Sequence, residues 1–413
     1  MDADFLFRRA FELESLGRTE DAKAAYRDLI EHDPAHAGAL NNLARLLHRE
    51  DAKQDARELL ERVVDRAPAD AMARANLGIV LFELESFPEA REHLLAALSL
   101  DPDSAMAHIG MARIFAIEGD AEASLEHQRA ALGNAAISVS APGPLQDRAP
   151  RLLLLASEEQ LGATAGAWLA ESTFSFATLI VERFHDGLTL PPHHAVFNTI
   201  SDADRNPAAL ERARRIVTRT TVPVINSPYA VLATARTALG QRLSDVTDAI
   251  VPATCAFARN ARLPDVGWPM LLRAPGFHSG QHFVRVERPD DLAAALARLP
   301  GDTLLAIGAL QAQSHDGLFR KYRMMIVDGK LYPMHAAISN HWKVHYFSAE
   351  MVQHPERRAE DEAFLASPQA VLGERAMRAL DAIRARLELD YGGIDFALDA
   401  DGRVLVFEAN ATM

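Results

Sequence analysis

The residues best placed to do chemistry lie in the stretch GGIDFALDADGRVLVFEANA, residues 392–411. Asp401-Gly402 is a preferred two-residue hairpin turn. With those two residues at the tip, paired positions sum to 803, so Asp395 falls opposite Glu408. Asn410 follows two residues on, on the same face, because strand side chains alternate. The other face collects Phe396, Leu398, Leu405 and Phe407, an expected core surface. Two carboxylates directly opposed in a sheet repel and need an offset. A hard divalent cation held by oxygen ligands provides one, and Mg²⁺ bridging substrate phosphates is the usual case. The plainer alternative is a solvated polar face carrying two incidental acids.

Further polar residues sit on similar elements upstream. KYRMMIVDGKLYPMH, residues 321–335, predicts a second hairpin with Asp328-Gly329 at its tip, bearing Lys321 and Arg323 on its first strand. GWPMLLR and QHFVRV predict two strands joined by APGFHSG, a loop whose glycines would let backbone N–H groups approach a phosphate. NHWKVHY, residues 340–346, holds His341, Lys343 and His345; by composition it is a polar cluster on a strand or a transition-metal site, without a second ligand group at zinc spacing.

Together, the carboxylate-bearing strands, the Glu-x-Asn ending and the preceding glycine loop resemble the ATP-grasp superfamily, nearest its glutathione-synthetase and peptide-ligase branch, over about residues 151–413. The resemblance implies Asp395, Glu408 and Asn410 as magnesium ligands. It implies Arg273 and, more loosely, Arg236 at the nucleotide phosphates, with Lys321 and the loop residues Gly276, His278, Ser279 and Gly280 as further nucleotide contacts. Arg323 resembles the arginine that steadies the transferred phosphoryl group, and His341, Lys343 and His345 resemble a substrate-side segment. ATP and two Mg²⁺ ions are the implied cofactors. The implied reaction joins a carboxylate to an amine through an acyl-phosphate, releasing ADP and phosphate. The adenine hinge departs from the pattern: Thr303-LLAIGALQAQ lacks the usual acidic or amide-rich segment.

What positions this machinery changes along the chain. RLLLLAS, FATLIVERF, HAVFNTI and VPVINSP alternate with helical stretches such as PAALERARRIVTRT. That alternation predicts a small α/β domain over 151–234 built on a parallel sheet covered on both sides, ahead of the α+β unit at 235–413. Residues 137–150, rich in proline and small residues, predict a linker.

Residues 1–136 repeat. Pro34, Pro68 and Pro102 are 34 residues apart; Ala22, Ala56 and Ala90 stand twelve before them, and Ala10, Ala44 and Gly78 twenty-four before. Helix pairs cross closely only where side chains are small, and the proline ends the second helix. Tyr26, Leu60 and Leu94 fill the space between, as do Leu13, Leu47 and Leu81. This resembles the 34-residue tetratricopeptide repeat in three units, with a degenerate fourth from Ala105 in which Ser124 and Ala136 replace the alanine and the proline. The expected fold is multidomain: an all-α repeat solenoid, then α/β pre-ATP-grasp and α+β ATP-grasp domains. The repeats are expected to bind a peptide, a protein or a second protomer.

Composition narrows the classes. Residues 1–136 carry 15 Lys and Arg against 26 Asp and Glu, most of the chain's net −14, which argues against nonspecific nucleic-acid binding. No long apolar run or signal-peptide pattern predicts a membrane span or export. The single cysteine, Cys255, allows no intrachain disulfide and suits a reducing, cytoplasmic setting; its apolar surroundings predict a small buried hydrophobe. A rival class remains, a repeat scaffold whose second half binds nucleotide without catalysis, as does an ATP-grasp enzyme with another acceptor.

Overall fold

The computed structural model describes residues 3–133, 135–139, 150–159, 174–275, 281–344, 349 and 351–411. It divides into two compact units, Met1–His194 and Ala195–Met413.

In the first unit the helices are α1 (Ala3–Ser15), α2 (Thr19–His32), α3 (Ala37–Arg49), α4 (Lys53–Arg66), α5 (Ala71–Glu83), α6 (Phe87–Leu100), α7 (Ala105–Glu118) and α8 (Ala121–Leu132). They pack pairwise in chain order. Each of Pro34, Pro68 and Pro102 falls just past the end of a second helix. The small positions are where helices touch: Ala10, Ala22, Ala44, Ala56 and Ala90 have no exposed surface. Gly78 has a sharper reason. A Cβ there would stand 2.6 Å from Cγ of Leu94, and one on Gly110 would stand 2.6 Å from its Cδ2. Leu94, fully buried, is wedged between two glycine-bearing helices. In the fourth unit Ser124 takes the alanine's place and donates to the Ala112 carbonyl at 2.8 Å, so its hydroxyl is satisfied. Caps recur at the same period: His36, Asp70 and Ser104, each two residues after a proline, accept from the backbone N–H groups of Ala39, Ala73 and Ala107.

Three strands complete this unit: β1 (Ile137–Val139), β2 (Arg151–Ala156) and β3 (Ser175–Ile180). β2 and β3 are parallel, as the apolar runs predict. β1 pairs antiparallel with β3, so the expected linker opens with a strand; Ile137 and Val139 suit an edge position despite the prolines that follow. The rest of that segment, 140–149, lies outside the described residues. The VERF end of the expected strand FATLIVERF is a 3₁₀ turn at Val181–Arg183. Arg183 there donates to the Gly133 and Ala135 carbonyls at 2.5 and 3.0 Å.

The second unit begins with β4 (Ala195–Asn198), α9 (Pro207–Val217) and β5 (Val224–Ile225), the two strands parallel. Then come α10 (Pro228–Leu232), α11 (Arg236–Arg242), β6 (Ala249–Ile250), β7 (Thr254–Ala258), β8 (Met270–Arg273), β9 (Phe283–Val286), α12 (Leu292–Ala297) and β10 (Thr303–Gly308). They are followed by β11 (Phe319–Val327), β12 (Lys330–Ser339), α13 (Pro355–Ala366), α14 (Pro368–Leu387), β13 (Tyr391–Leu398) and β14 (Val404–Asn410). One antiparallel sheet has the order β7-β10-β8-β9, and a five-stranded sheet has the order β12-β11-β13-β14-β6. Cys255 departs from expectation. It is exposed, on an edge strand, β7, in which Phe257 alone is buried.

On the five-stranded sheet, alternation separates oil from charge. Tyr322, Met324, Ile326, Ile394 and Phe396 are buried, and Tyr322 stacks between Phe364 of α13 and Phe396 at 5.1 and 5.5 Å. Lys321, Arg323, Asp395 and Glu408 occupy the alternate positions.

Candidate functional site

Two hairpins build the charged face. The first turns at Asp328-Gly329, with φ of 49° and 66° and Val327 paired to Lys330, the two-residue turn expected there. The second does not turn on two residues. Asp399 and Arg403 close a three-residue loop, the Asp399 N–H donating to the Arg403 carbonyl at 3.0 Å and Gly402 adopting φ of 76°. That loop alone would displace the register by one residue. A bulge at Phe407 corrects it: Phe396 pairs with Val406, yet Asp395 pairs with Glu408. Thus Val406, fully buried, takes the core place expected of Phe407, while the carboxylate pair and Asn410, opposite Gly393, stand as expected.

β11 aligns Arg323 with Asp395 on the other side. Arg323, Asp395 and Glu408 therefore form one row across three neighbouring strands. Asp395, with 1% of its side chain exposed, accepts from Arg323 Nε at 2.5 Å, Arg323 Nη2 at 2.7 Å and Lys321 Nζ at 2.8 Å. Glu408 accepts from Arg236 Nη2. Arg236, the first residue of α11, is itself held by Asp204: its backbone N–H and its Nη1 donate to the two Asp204 oxygens at 3.0 and 2.5 Å. Asp204 is fixed in turn by its N–H bond to Asp202 at 3.0 Å. The offset that like carboxylates require is thus supplied by side-chain cations.

The electrostatics follow from this packing. Burial alone would raise the Glu408 carboxyl, but Arg236, Arg273 and Lys321, with a hydrogen bond from Asn410, outweigh it and bring it down to about 2. Arg273, on β8, has its pKa lowered by burial and then by the charge of Arg236; its guanidinium lies 5.7 Å from the Phe283 ring centre. Arg323 is shifted upward, its burial outweighed by Asp395. Asp202, Asp204, Thr234, Arg236, Glu408 and Asn410 line a shallow, open depression.

The structure therefore gathers Arg236, Lys321, Arg323, Asp395, Glu408 and Asn410, and Arg273 acts electrostatically on Glu408. Among the described residues no hydrogen bond or ion pair links Lys343 to them; its N–H donates to His341 Nδ1 at 3.1 Å, in irregular chain beyond β12. His345, Gly276, His278, Ser279 and Gly280 lie outside the described residues. Among the described residues, no group of three or more His, Cys, Asp or Glu side chains is arranged to hold a metal ion. Asp395, Glu408 and Asn410 are three hard oxygen donors, a set that suits Mg²⁺ when phosphate and water oxygens complete the shell.

Sequence reasoning missed Asp204 and Asn226. The signal for Asp204 was SDADRNP, an acidic loop following an apolar strand. Asn226 is fully buried at φ of 53°. Its Nδ2 donates to the Tyr391 and Ala411 carbonyls, both at 2.8 Å, and its Oδ1 accepts from the N–H groups of Asp390 and Tyr391 at 3.1 and 2.9 Å. It ties the start of β13 to the residue after Asn410.

Comparison with known proteins bears on the N-terminal region. The tetratricopeptide repeat family model matches residues 7–71 and 75–138, and that region is an array of these repeats. Among solved structures, MamA 41-end from Desulfovibrio magneticus RS-1 is 25% identical, covering 32% of this chain and 74% of that chain with a TM-score of 0.29. A crystal structure of MamA is 21% identical over 32% of this chain and 77% of that chain, with a TM-score of 0.29. No curated protein matches the chain. No helix among the described residues is long and apolar enough to cross a membrane.

Proposed function

We propose that residues 235–413 form an ATP-grasp catalytic unit that joins a carboxylate to an amine at the expense of ATP, and that the tetratricopeptide repeats present it to a peptide or protein partner. The observation that carries this reading is the row Arg323–Asp395–Glu408 across β11, β13 and β14, with Asn410 beside it and Arg236 against Glu408. Oxygen donors and guanidinium groups on one rigid face are what phosphoryl transfer needs, since its chemistry is mostly positioning and charge neutralisation. The repeats suit the partner role because stacked helix pairs make an extended recognition surface.

In the reaction a substrate carboxylate oxygen forms a bond to the γ-phosphorus as the bond to the bridging β–γ oxygen breaks, releasing ADP. The amine nitrogen then attacks the acyl carbon, the bond to the phosphate oxygen breaks, and the amine loses a proton. Arg323 and Lys321 would move from Asp395 onto phosphoryl oxygens and hold them in line. Arg236 and Arg273 would neutralise charge at the opposite side of the phosphates. Asp395, Glu408 and Asn410 would hold magnesium, which supplies charge neutralisation to the phosphate chain when bound. No nucleophilic side chain is required.

The test is ADP release by the full chain with ATP and Mg²⁺ against a panel of amino acids, peptides and small acids, alongside calorimetry of ATP binding with and without Mg²⁺. Amide formation coupled to ADP release is the expected result. Absence of any Mg²⁺-dependent ATP binding would leave the cluster as a structural ion-pair network within a repeat scaffold.

A further inference from the structure

We infer that Lys321 and Arg323 form a counter-ion gate that closes Asp395 to free divalent cations and opens it only to a cation that arrives with a polyphosphate. This rests on the reading of Asp395, Glu408 and Asn410 as a metal site, and it assigns the two cations a role in binding order beyond contacting phosphate.

A carboxylate offers about four lone-pair positions. Three of those on Asp395 are taken, by Lys321 Nζ at 2.8 Å and by Arg323 Nε and Nη2 at 2.5 and 2.7 Å. With 1% of the side chain exposed, the remaining position has no open approach from solvent. A magnesium ion needs contact at about 2.0–2.1 Å, so at least one of the two side chains must leave. A free metal ion gives them no reason to leave: it adds two positive charges beside two others and provides no anion in exchange. A triphosphate does provide one. Its oxygens accept the guanidinium in the same bidentate way as a carboxylate does, freeing Asp395 as the metal arrives. Both side chains project from β11, a paired strand rather than a loop, so the exchange requires rotamer changes and no backbone rearrangement. Glu408 repeats the arrangement through Arg236, which keeps Asp204 as a partner when it lets Glu408 go.

Coupling of this kind is reciprocal: the factor by which nucleotide raises metal affinity is the factor by which metal raises nucleotide affinity. The full chain is titrated with Mn²⁺ alone, followed by electron paramagnetic resonance, and again with a non-hydrolysable ATP analogue present. Lys321→Met/Arg323→Met is measured alongside, with its fold checked by circular dichroism. Expected are weak Mn²⁺ binding to the wild type alone, strong binding with the analogue, and a rise in free-Mn²⁺ affinity in the double variant of roughly 10–100-fold, the range over which neighbouring side chains move metal affinity. Wild type that takes free Mn²⁺ as tightly with or without the analogue overturns the gate, a result that does not depend on the variant folding. A folded double variant with no gain in Mn²⁺ affinity overturns it as well. A variant that gains Mn²⁺ while wild type binds no nucleotide keeps the closure of Asp395 by the two cations but overturns its opening by polyphosphate, and removes the ligase reading.

Discussion

Asp395 and Glu408 lie directly opposite each other on β13 and β14, two carboxylates in one register pair, and each is bonded outward to a different set of cations. Asp395 faces Lys321 and Arg323 on β11; Glu408 faces Arg236 at the start of α11. The repulsion between them is therefore offset from both flanks by side chains that belong to separate elements. Removing one member breaks hydrogen bonds on its own flank alone, although Lys321 also acts through space on Glu408.

Glu408→Gln is nearly isosteric and retains the strand pairing, but it leaves Asp204 as the one carboxylate bonded to the Arg236 guanidinium. Loss of one charged hydrogen bond at a largely buried site costs about 1–3 kcal/mol, so the variant should fold with a lowered Tm. Mg²⁺-dependent ATP binding and turnover should fall much further. The charge also has a pH signature. The folded value of about 2 lies below the ordinary 4.5, so the unfolded chain binds more protons between the two. The stability Glu408 contributes is complete above about pH 4.5 and is lost as pH falls toward 2. Urea unfolding of the wild type between pH 5 and 3 should show that decline, and the variant should show a smaller one. Wild-type turnover in the variant would remove Glu408 from the site.

Arg323→Ala should damage the chemical step more than ATP affinity. A guanidinium that follows charge as it spreads in the transition state accounts for a turnover loss on the order of 10²–10³. Arg320→Ala is the control from the same strand. Arg320 points to the other side, to Asp316 and Glu360, so its loss should lower stability and leave turnover per folded molecule nearly unchanged. ATP affinity and turnover are measured together for both variants. Equal mild effects from the two would end the catalytic role of Arg323.

How far the sequence carried these arguments depended on the range of each interaction. The 34-residue spacing of Pro34, Pro68 and Pro102 was legible because turn, helix end and close crossing are set within one repeat. The Asp328-Gly329 turn was legible for the same reason. The Asp401-Gly402 tip was not: Asp399 accepts from the N–H groups of Asp401 and Arg403 at 3.0 and 2.8 Å and stabilises a longer loop. The opposition of Asp395 and Glu408 was still read correctly, because the bulge at Phe407 restores the register the longer loop disturbs. The hold of Asp204 on Arg236 and the place of Asn226 could not be read, since their partners lie 32 and more than 160 residues away. The exposure of Cys255 depended on which strand ends a sheet, a property of topology rather than of the residues around it.

The repeat array contains its own acid sensitivity. His108 Nδ1 and His127 Nδ1 are 2.8 Å apart, and His108 Nε2 bonds the Pro102 carbonyl at 2.9 Å. In the neutral pair Nε2 of His108 carries the proton that carbonyl needs, so Nδ1 of His108 accepts from His127. Burial, then His108, lowers the pKa of His127 below the ordinary 6.5. The unfolded chain thus binds more protons just below pH 6.5, and stability present above that value is lost as pH falls. Amide protection factors in α7 and α8, taken relative to the intrinsic exchange rate at each pH, should fall from pH 7.5 to 5.5, and His127→Gln should flatten that dependence. Identical pH profiles for the two proteins would dismiss the pair.

Asn226 provides the sharpest test of what holds the carboxylate strands in place. All four hydrogen-bonding positions of its amide are used, two donated to the carbonyls of Tyr391 and Ala411 and two accepted from the N–H groups of Asp390 and Tyr391. Its own N–H donates to Asp390 Oδ2 at 2.7 Å. Asn226→Asp preserves shape but turns two donors into acceptors facing carbonyl oxygens, with a second carboxylate, Asp390, next to it. A buried charge left without a partner costs about 3–5 kcal/mol. Asn226→Gly removes all four side-chain bonds without adding charge and tolerates φ of 53°. Asn226→Ala removes them and also places a Cβ in the left-handed region, for about 1–2 kcal/mol more than glycine. The expected order of stability is therefore wild type, Gly, Ala, with Asp also well below wild type, read by urea unfolding at pH 7. Because Ala411 follows Asn410, the glycine variant should also lose Mg²⁺-dependent ATP affinity while it remains folded. Should Asn226→Asp unfold at the wild-type urea concentration, the amide does not pin β13 to β14, and the placement of Asn410 must come from strand pairing alone.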